Sequence, residues 1–435
     1  MSKLDELIKE LCPNGVEYKT LGEFATVIRG GNFQKKDFVE NGKPCIHYGQ
    51  MYTHFKNTTD KTLTFVSDEV FNKSKQAQPN DIVMAVTSEN VDDVCSCVAW
   101  LGTENIAVSG HTAIIHHNQN PSYMSYYFHS EHFYKQKVKL AHGTKVIEVT
   151  PDKLLGIEIP VPPLPIQEEI VKILDKFTEL TTELTTELTA RRKQYEYYRD
   201  SLLTRETKVE VKKLGDFATI TRGGNFQKKD FVESGLPCIH YGQMYTHFGT
   251  WTDKTLTYVD KTVFDKSKQA QPNDIVMAVT SENVDDVCKC TAWVGKKPIA
   301  VSGHTAIIHH NQNAKYLSYY FQSSGFYKQK VKLAHGTKVI EVTPDKLNDI
   351  TIPLPPLDVQ ERIVNVLDNF DAICTDLKIG LPAEIEARKK QYEYYRDFLL
   401  TFASSGNTIL SEQNRTEQNR TEQNRTEQNR TEQMK

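Results

Sequence analysis

Several side-chain groups in this chain have types and spacings that could do chemistry. Cys95, Cys97, His111, His116 and His117 recur as Cys288, Cys290, His304, His309 and His310, offering the thiolate and imidazole ligands that zinc takes. Structural zinc sites favour C-x2-4-C spacing, however, and C-x-C on an extended segment puts both sulfurs on one face, as any buried strand would. Buried reduced cysteines and polar histidines are therefore expected. Glu89, Asp92 and Asp93 are the candidate carboxylates for Mg2+ in a nuclease, set against an ordinary acidic turn. Arg29 to Phe33, RGGNF, has two glycines but no following helix or Lys-Ser pair, so it reads as a turn bringing backbone close to a partner and not as a phosphate loop. No G-x-G-x-x-G follows a strand, and no N/D-P-P-Y/F tetrapeptide of the sort that holds a flipped adenine amine is present. Binding, with no catalytic or metal residues, is the expected chemistry.

Other residues suit recognition of base edges and phosphates. One polar loop carries Arg29, Asn32, Gln34, Lys35 and Lys36; a second carries His47, Tyr48, Gln50, Tyr52 and His54; a third carries His142, Thr144 and Lys145. Arginine can pair with guanine, and asparagine or glutamine with adenine, through two hydrogen bonds worth about 1–3 kcal/mol in discrimination. The counterparts are Arg222, Asn225, Gln227, Lys228 and Lys229; His240, Tyr241, Gln243, Tyr245 and His247; and His335, Thr337 and Lys338. Solvated turns are the plain alternative. Lys135, Lys137 and Lys139, repeated as Lys328, Lys330 and Lys332, read either as phosphate contacts or as a solvated helix face.

These residues recur because the chain is a tandem duplication. From Val16 the sequence returns at Val209 without a gap as far as Asp175 and Asp368, with roughly four positions in five identical between Leu21–Pro160 and Leu214–Pro353. Each copy reads as mixed α and β. DIVMAV, IAVSGHTAII and KVIEV have the composition of strands, YMSYYFHSEHFYKQKVKL has helical spacing, and TPDKL can cap a short turn through its Thr and Asp. A proline-rich exit leads into a long helix, in which Ile170, Leu174, Phe177, Leu184, Leu188, Tyr195, Tyr198 and Leu202 form a seam for a partner helix. About forty residues would extend about 60 Å at about 1.5 Å each. The partner is the equivalent segment of copy two, where Gly380 and Pro382 predict a break and copy one carries TELT repeats from Thr178 to Thr189. Both segments end in QYEYYRD. Its tyrosine and charge exceed the needs of one seam, so Arg192, Tyr195, Tyr198 and Arg199, with Lys389, Tyr392, Tyr395 and Arg396, are candidate partner-docking residues. From Ser411 the EQNR repeats lack an apolar face and are expected to be disordered.

The formal net charge is -3, so affinity for nucleic acid must come from local clusters or a partner. No apolar run approaches the roughly 20 residues of a membrane span. MSKLDELIKEL is a charged amphipathic start, and eight scattered cysteines suit a reducing compartment, so a cytoplasmic location is expected.

Two near-identical domains, each followed by a helix introduced by P-x-P-L/I-x-x-Q and ending QYEYYRD, resemble the specificity subunit of type I restriction-modification enzymes. The resemblance runs from LDELIKELCPNGVEYKTLG to Phe402, and the TELT units resemble the spacer repeats of such subunits. It implies an α+β chain with two target-recognition domains, at 1–162 (with the N-terminal helix) and 208–355. Spacer helices at 163–207 and 356–403 would pair as an antiparallel coiled coil with pseudo-twofold symmetry; the tail at 404–435, expected to be disordered from its composition, and the Gly380–Pro382 break depart from the family pattern. It also implies that each domain reads half of a bipartite site on double-stranded DNA, and that the chain itself is not an enzyme and has no cofactor. Two modification (methyltransferase) subunits would bring S-adenosylmethionine, and restriction (endonuclease and translocase) subunits would bring ATP and Mg2+. Equal domains on a pseudo-dyad predict a nearly palindromic interrupted site, with heads about 34 Å apart. The competing reading is a non-catalytic coiled-coil scaffold whose paired domains bind protein or glycan, which predicts no affinity for DNA.

Overall fold

A computed structural model describes residues 2–204, 209–375 and 380–402, so the expected tail at 404–435 lies outside the described residues. The chain forms two compact units, Met1–Glu183 with Glu386–Lys435, and Leu184–Ile385. Each unit therefore contains one α/β domain and a part of both spacers.

In the first unit, Ser2 and Asp5 form a capping box that starts the helix Lys3–Leu11. The strand Tyr18–Thr20 then pairs antiparallel with Glu158–Pro160, closing the domain at its two ends. Between them lie two five-stranded sheets. The first runs in the order Ala25–Arg29, Thr112–His117, Ile82–Ala85, Cys97–Trp100 and Thr58–Thr59. The second runs Phe38–Val39, Thr64–Val66, Lys43–Ile46, Ile106–Val108 and Gln76–Ala77. Both faces of the first sheet are covered, which explains the unbroken apolar run IVMAV. Ile82 and Met84, with Ala113 and Ile115, pack on the helices, whereas Val83 and Ala85, with Ile114 and Trp100, pack on Ile46, Ile106 and Val108.

IAVSGHTAII is not one strand. Ile106–Val108 belongs to the second sheet and Thr112–His117 to the first, and the corner between them places His111 at φ 64. Cys95 is likewise at φ 67, so the C-x-C segment is a tight turn leading into a strand and not an extended run. The expected single helix at Tyr123–Leu140 is two, Pro121–Phe128 and Glu131–Leu140, because Ser130 accepts a hydrogen bond from Phe133 N and starts a new N-terminus. The turn helix Pro151–Leu154 has Thr150 at its N-cap, without a side-chain capping bond. Lys137 is neither a phosphate contact nor solvated: it is buried, and its Nζ donates to the carbonyls of Asp92 and Val94 at 2.7 Å each. Lys330 does the same in the second unit.

The first spacer is one helix, Leu164–Thr204, and the second is two, Leu357–Thr375 and Leu381–Thr401, separated at the predicted break. In the first unit Ile166, Ile170 and Leu174 share a core with Leu399 and Leu400, and Phe177 stacks on Tyr395 at 5.4 Å. In the second unit Tyr195 and Leu203 share a core with Val364, Leu367 and Cys374, and Tyr198 stacks on Phe370 at 5.6 Å. Early residues of one spacer thus meet late residues of the other, as antiparallel pairing requires. The seam takes Leu203, which is buried, in place of Leu202, which is 37% exposed. The glutamine of the proline-rich motif is a buried latch: Gln167 accepts from Asn120 N and donates to Gln119 and to the carbonyl of Pro162. Gln360 repeats this in the second unit, whose sheets have the same order.

Candidate nucleic-acid interface

The three polar loops of each domain are joined by a chain of contacts. Arg29 forms an ion pair with Glu148 at 3.0 Å, and Glu148 lies opposite Thr87 in a two-stranded pairing. Tyr52 donates to the Thr87 carbonyl at 2.6 Å. A row of rings continues from Phe38 to His47 at 5.8 Å, from His47 to Tyr48 at 4.5 Å, and from Tyr48 to His111 at 5.2 Å. Burial first, then the charges of Lys35 and His111, lowers the pKa of His47, so the ring holds its neutral form. Burial raises the Tyr52 hydroxyl to about 12, against a lowering hydrogen bond with Ser88.

The glycines of RGGNF approach the chain's own backbone: a Cβ on Gly30 would collide with the Ser109 carbonyl and with Thr112, and one on Gly31 would lie 3.0 Å from Lys75 N. This fixes the first loop against the corner that carries His111. The third loop is closed by reciprocal bonds, His142 N to Glu148 O at 3.0 Å and Glu148 N to His142 O at 2.8 Å, with Gly143 at φ 114.

Within this frame the expected residues fall into two groups. Arg29, Asn32, Gln34, Lys35, Lys36, His54, Thr144 and Lys145 are exposed. His47, Gln50 and Tyr52 hold the loops together: Gln50 accepts from His47 N at 2.9 Å and approaches Thr64 at 3.3 Å, and His47 Nδ1 accepts from Gly49 N. The second domain repeats both groups, with Arg222, Asn225, Gln227, Lys228, Lys229, His247, Thr337 and Lys338 exposed and His240, Gln243 and Tyr245 internal. His111 and His304, both exposed and both in the left-handed region, were absent from the expected set. Their SGH context gives no local signal for that backbone. Asp92 accepts from the Tyr134 hydroxyl, and Asp93 closes a turn with Asn90.

The QYEYYRD block clamps the end of the first spacer to the second domain and the end of the second spacer to the first. Tyr195 is 8% exposed, Arg199 lies 5.6 Å from its ring and pairs with Asp200, and Asp200 accepts from Ser324 N at the start of a domain helix. Tyr392, Arg396 and Asp397 repeat this on Glu131 N. Tyr197, at 62%, and Tyr394, at 53%, are the most exposed aromatic residues of the two blocks, beside exposed Arg192 and Lys389. Tyr198 and Tyr395 stack on the opposite spacer.

A family model described as the type I restriction modification DNA specificity domain matches residues 13–191 and again 206–387. The chain is 38% identical over 257 residues to the EcoR124I/EcoR124II specificity subunit of Escherichia coli, a type I restriction enzyme; the match covers 57% of this chain and 63% of that one. It is 33% identical over 275 residues to a putative type I restriction enzyme specificity subunit of Haemophilus influenzae, covering 60% and 68%. In fold it is similar to a chain solved in work on complex assembly and conformational transition of the type I R-M system, with a TM-score of 0.64 at 17% identity over 90% of this chain and 98% of that one. The HsdS subunit from Thermoanaerobacter tengcongensis gives a TM-score of 0.50 at 18% identity, over 89% and 97%.

Proposed function

This chain belongs to the type I restriction modification DNA specificity family, and from that membership we propose that it is the DNA-specificity subunit of a type I restriction-modification complex. Each domain reads one half of a bipartite site on duplex DNA. The observation that carries this reading is the recurrence of one set of exposed residues, Arg29, Asn32, Gln34, Lys35 and Lys36 with Thr144 and Lys145, in both units on an identical internal frame. Exposed Arg, Asn and Gln supply the donors and acceptors that base edges need, and Lys35, Lys36 and Lys145 supply phosphate anchors. Equal heads read equal half-sites, so the site is an interrupted near-palindrome whose gap the spacer helices set. His47, Gln50 and Tyr52, with their counterparts, position these residues from within.

The chain is non-catalytic and binds no cofactor. Two methyltransferase subunits bring S-adenosylmethionine, and restriction subunits bring ATP and Mg2+, in the cytoplasm. Among the described residues no helix is long and apolar enough to cross a membrane. The methyltransferase subunits dock on the outward faces of the two QYEYYRD blocks, at Arg192 and Tyr197 and at Lys389 and Tyr394, beside Tyr198 and Tyr395, which stack on the opposite spacer. Tyr195, Arg199, Tyr392 and Arg396 support that surface from beneath.

Co-expression with the neighbouring methyltransferase subunit, followed by mapping of methylated adenines, tests the reading. The expected result is one bipartite motif with matching half-sites. One added TELT unit lengthens a helix by about 6 Å and should widen the gap by one or two base pairs. Two unrelated half-sites would refute the equal-heads account, and methylation without any motif would refute the assignment.

A further inference from the structure

The two reading faces are closely alike, with charge differences at the ends of their identical segments. The segments Arg29–Asp37, His47–Phe55, Thr87–Cys95, Ser109–Thr112 and Leu140–Thr150 are identical to their counterparts. The residue after the third segment is not: Ser96 in the first domain is Lys289 in the second. The residue after the second segment differs too, exposed Lys56 in the first domain being Gly249 in the second, while two further differences have local structural uses. Trp251 and Lys315, replacing Thr58 and Ser122, both bind Asp368 of the spacer, at 3.2 and 2.8 Å.

Lys289 makes its ion pair within its own turn and remains half-exposed. Its ammonium lies 5.7 Å from the ring centroid of Tyr245 and 3.2 Å from Asp286, and its side chain is 48% exposed. Asp286 is held ionised first by Asn283 and then by Lys289. In the first domain Asp93 keeps the equivalent asparagine, Asn90, but Ser96 turns its hydroxyl to the Asp93 carbonyl at 2.7 Å and brings no charge. The same acidic turn beside the same tyrosine therefore carries one more positive charge in the second head than in the first. A phosphate approaching the first head meets a serine at this position, whereas one approaching the second meets an ammonium already in place on an aromatic platform.

We propose that Lys289 is a DNA-phosphate contact found in the second domain alone, so that two heads reading the same bases hold their half-sites with unequal strength. The inference rests on the DNA-reading role proposed above. The test is a ladder of three full-length chains, each in complex with the methyltransferase subunit: K289S, wild type and S96K. Binding to a duplex carrying the mapped site is measured from 50 to 200 mM salt. Each substitution copies the residue that the same backbone already carries in the other domain, and matching melting temperatures confirm folding. One phosphate contact contributes about 0.9 to the slope of log affinity against log salt, which is a change of about 3.5-fold in the loss over that range. The slope should rise by one such step from K289S to wild type and again to S96K, with the methylated motif unchanged. Equal slopes in all three, with tight specific binding, overturn this inference alone. Absence of specific binding by the wild-type complex overturns the DNA-reading role with it.

Discussion

Replacing Gly143 by alanine probes the reading face at its most constrained point. Gly143 sits at φ 114, where L-residues cost about 1–3 kcal/mol, and its new Cβ would overlap the Val146 carbonyl oxygen. The loop can bear this strain, or it can open and lose the reciprocal His142 and Glu148 bonds, at about 1 kcal/mol each. Because Gly143 to Val146 are all exposed, opening is the cheaper escape. It sets a ceiling of about 2 kcal/mol, or about 4–8 °C in the melting temperature of the unit concerned. Thr144 and Lys145 would then lose their fixed positions, and specific DNA affinity should fall about tenfold, which is about 1.4 kcal/mol. Gly15 is the control: it sits at φ 93 with nothing within 4 Å of a Cβ, so G15A carries the backbone cost without the overlap. The assays are thermal denaturation, amide exchange at His142 and Glu148, and DNA binding by the complex. If those amides stay protected in G143A, or if G15A matches G143A in every readout, the reasoning fails. G336A should repeat the result, and because Gly336 belongs to a separate unit the double variant should be additive.

Other outcomes follow from the same geometry. Q34A should leave the melting temperature unchanged while weakening specific binding by about 1–3 kcal/mol if Gln34 reads a base, whereas Q50A should destabilise the first unit, since its amide holds His47 N and Thr64. Denaturation and binding measured on both variants separate the two roles, and loss of stability in Q34A would count against the division. Burial is the main cause that lowers His117 and His310 to about 4, against an ordinary 6.5. The unfolded chain therefore takes up protons first. Stability from these groups is complete above about pH 6.5 and is lost as the pH falls toward 4, by about 1–2 kcal/mol per histidine at pH 5. Asp81 and Asp274, raised mainly by burial, act in the opposite direction. Urea midpoints at pH 7.5 and 5 should converge in H117Q/H310Q relative to wild type, and parallel behaviour would refute the assignment.

Much of the architecture was legible without coordinates, because repetition and periodicity are local properties. The repeat fixed the number of domains and the pairing of counterparts, and the apolar rows of Ile170 and Leu174 marked the spacer as a helix needing a mate. Gly380 and Pro382 marked where the second spacer restarts. The ten-residue run from Ile106 to Ile115 reads as one strand in sequence because the change of sheet depends on which neighbours each half finds, Cys45 and Ile46 for the first and Val27 to Arg29 for the second.

The roles of polar side chains were decided by tertiary structure. Lys137 resembles Lys135 and Lys139 in sequence, yet it alone reaches inward, because the Asp92 and Val94 carbonyls lie beneath it. Tyr195 and Tyr197 are near neighbours of one type, but one is 8% and the other 62% exposed, since helix geometry turns one toward the core holding Leu367 and Cys374 and the other away. Gln34 and Gln50 differ in the same way: Gln50 meets Thr64 across the fold, and Gln34 meets solvent. A residue's type and spacing state what it can bind. Whether it binds its own chain or something else depends on partners brought from far along the sequence, and only the folded chain supplies those.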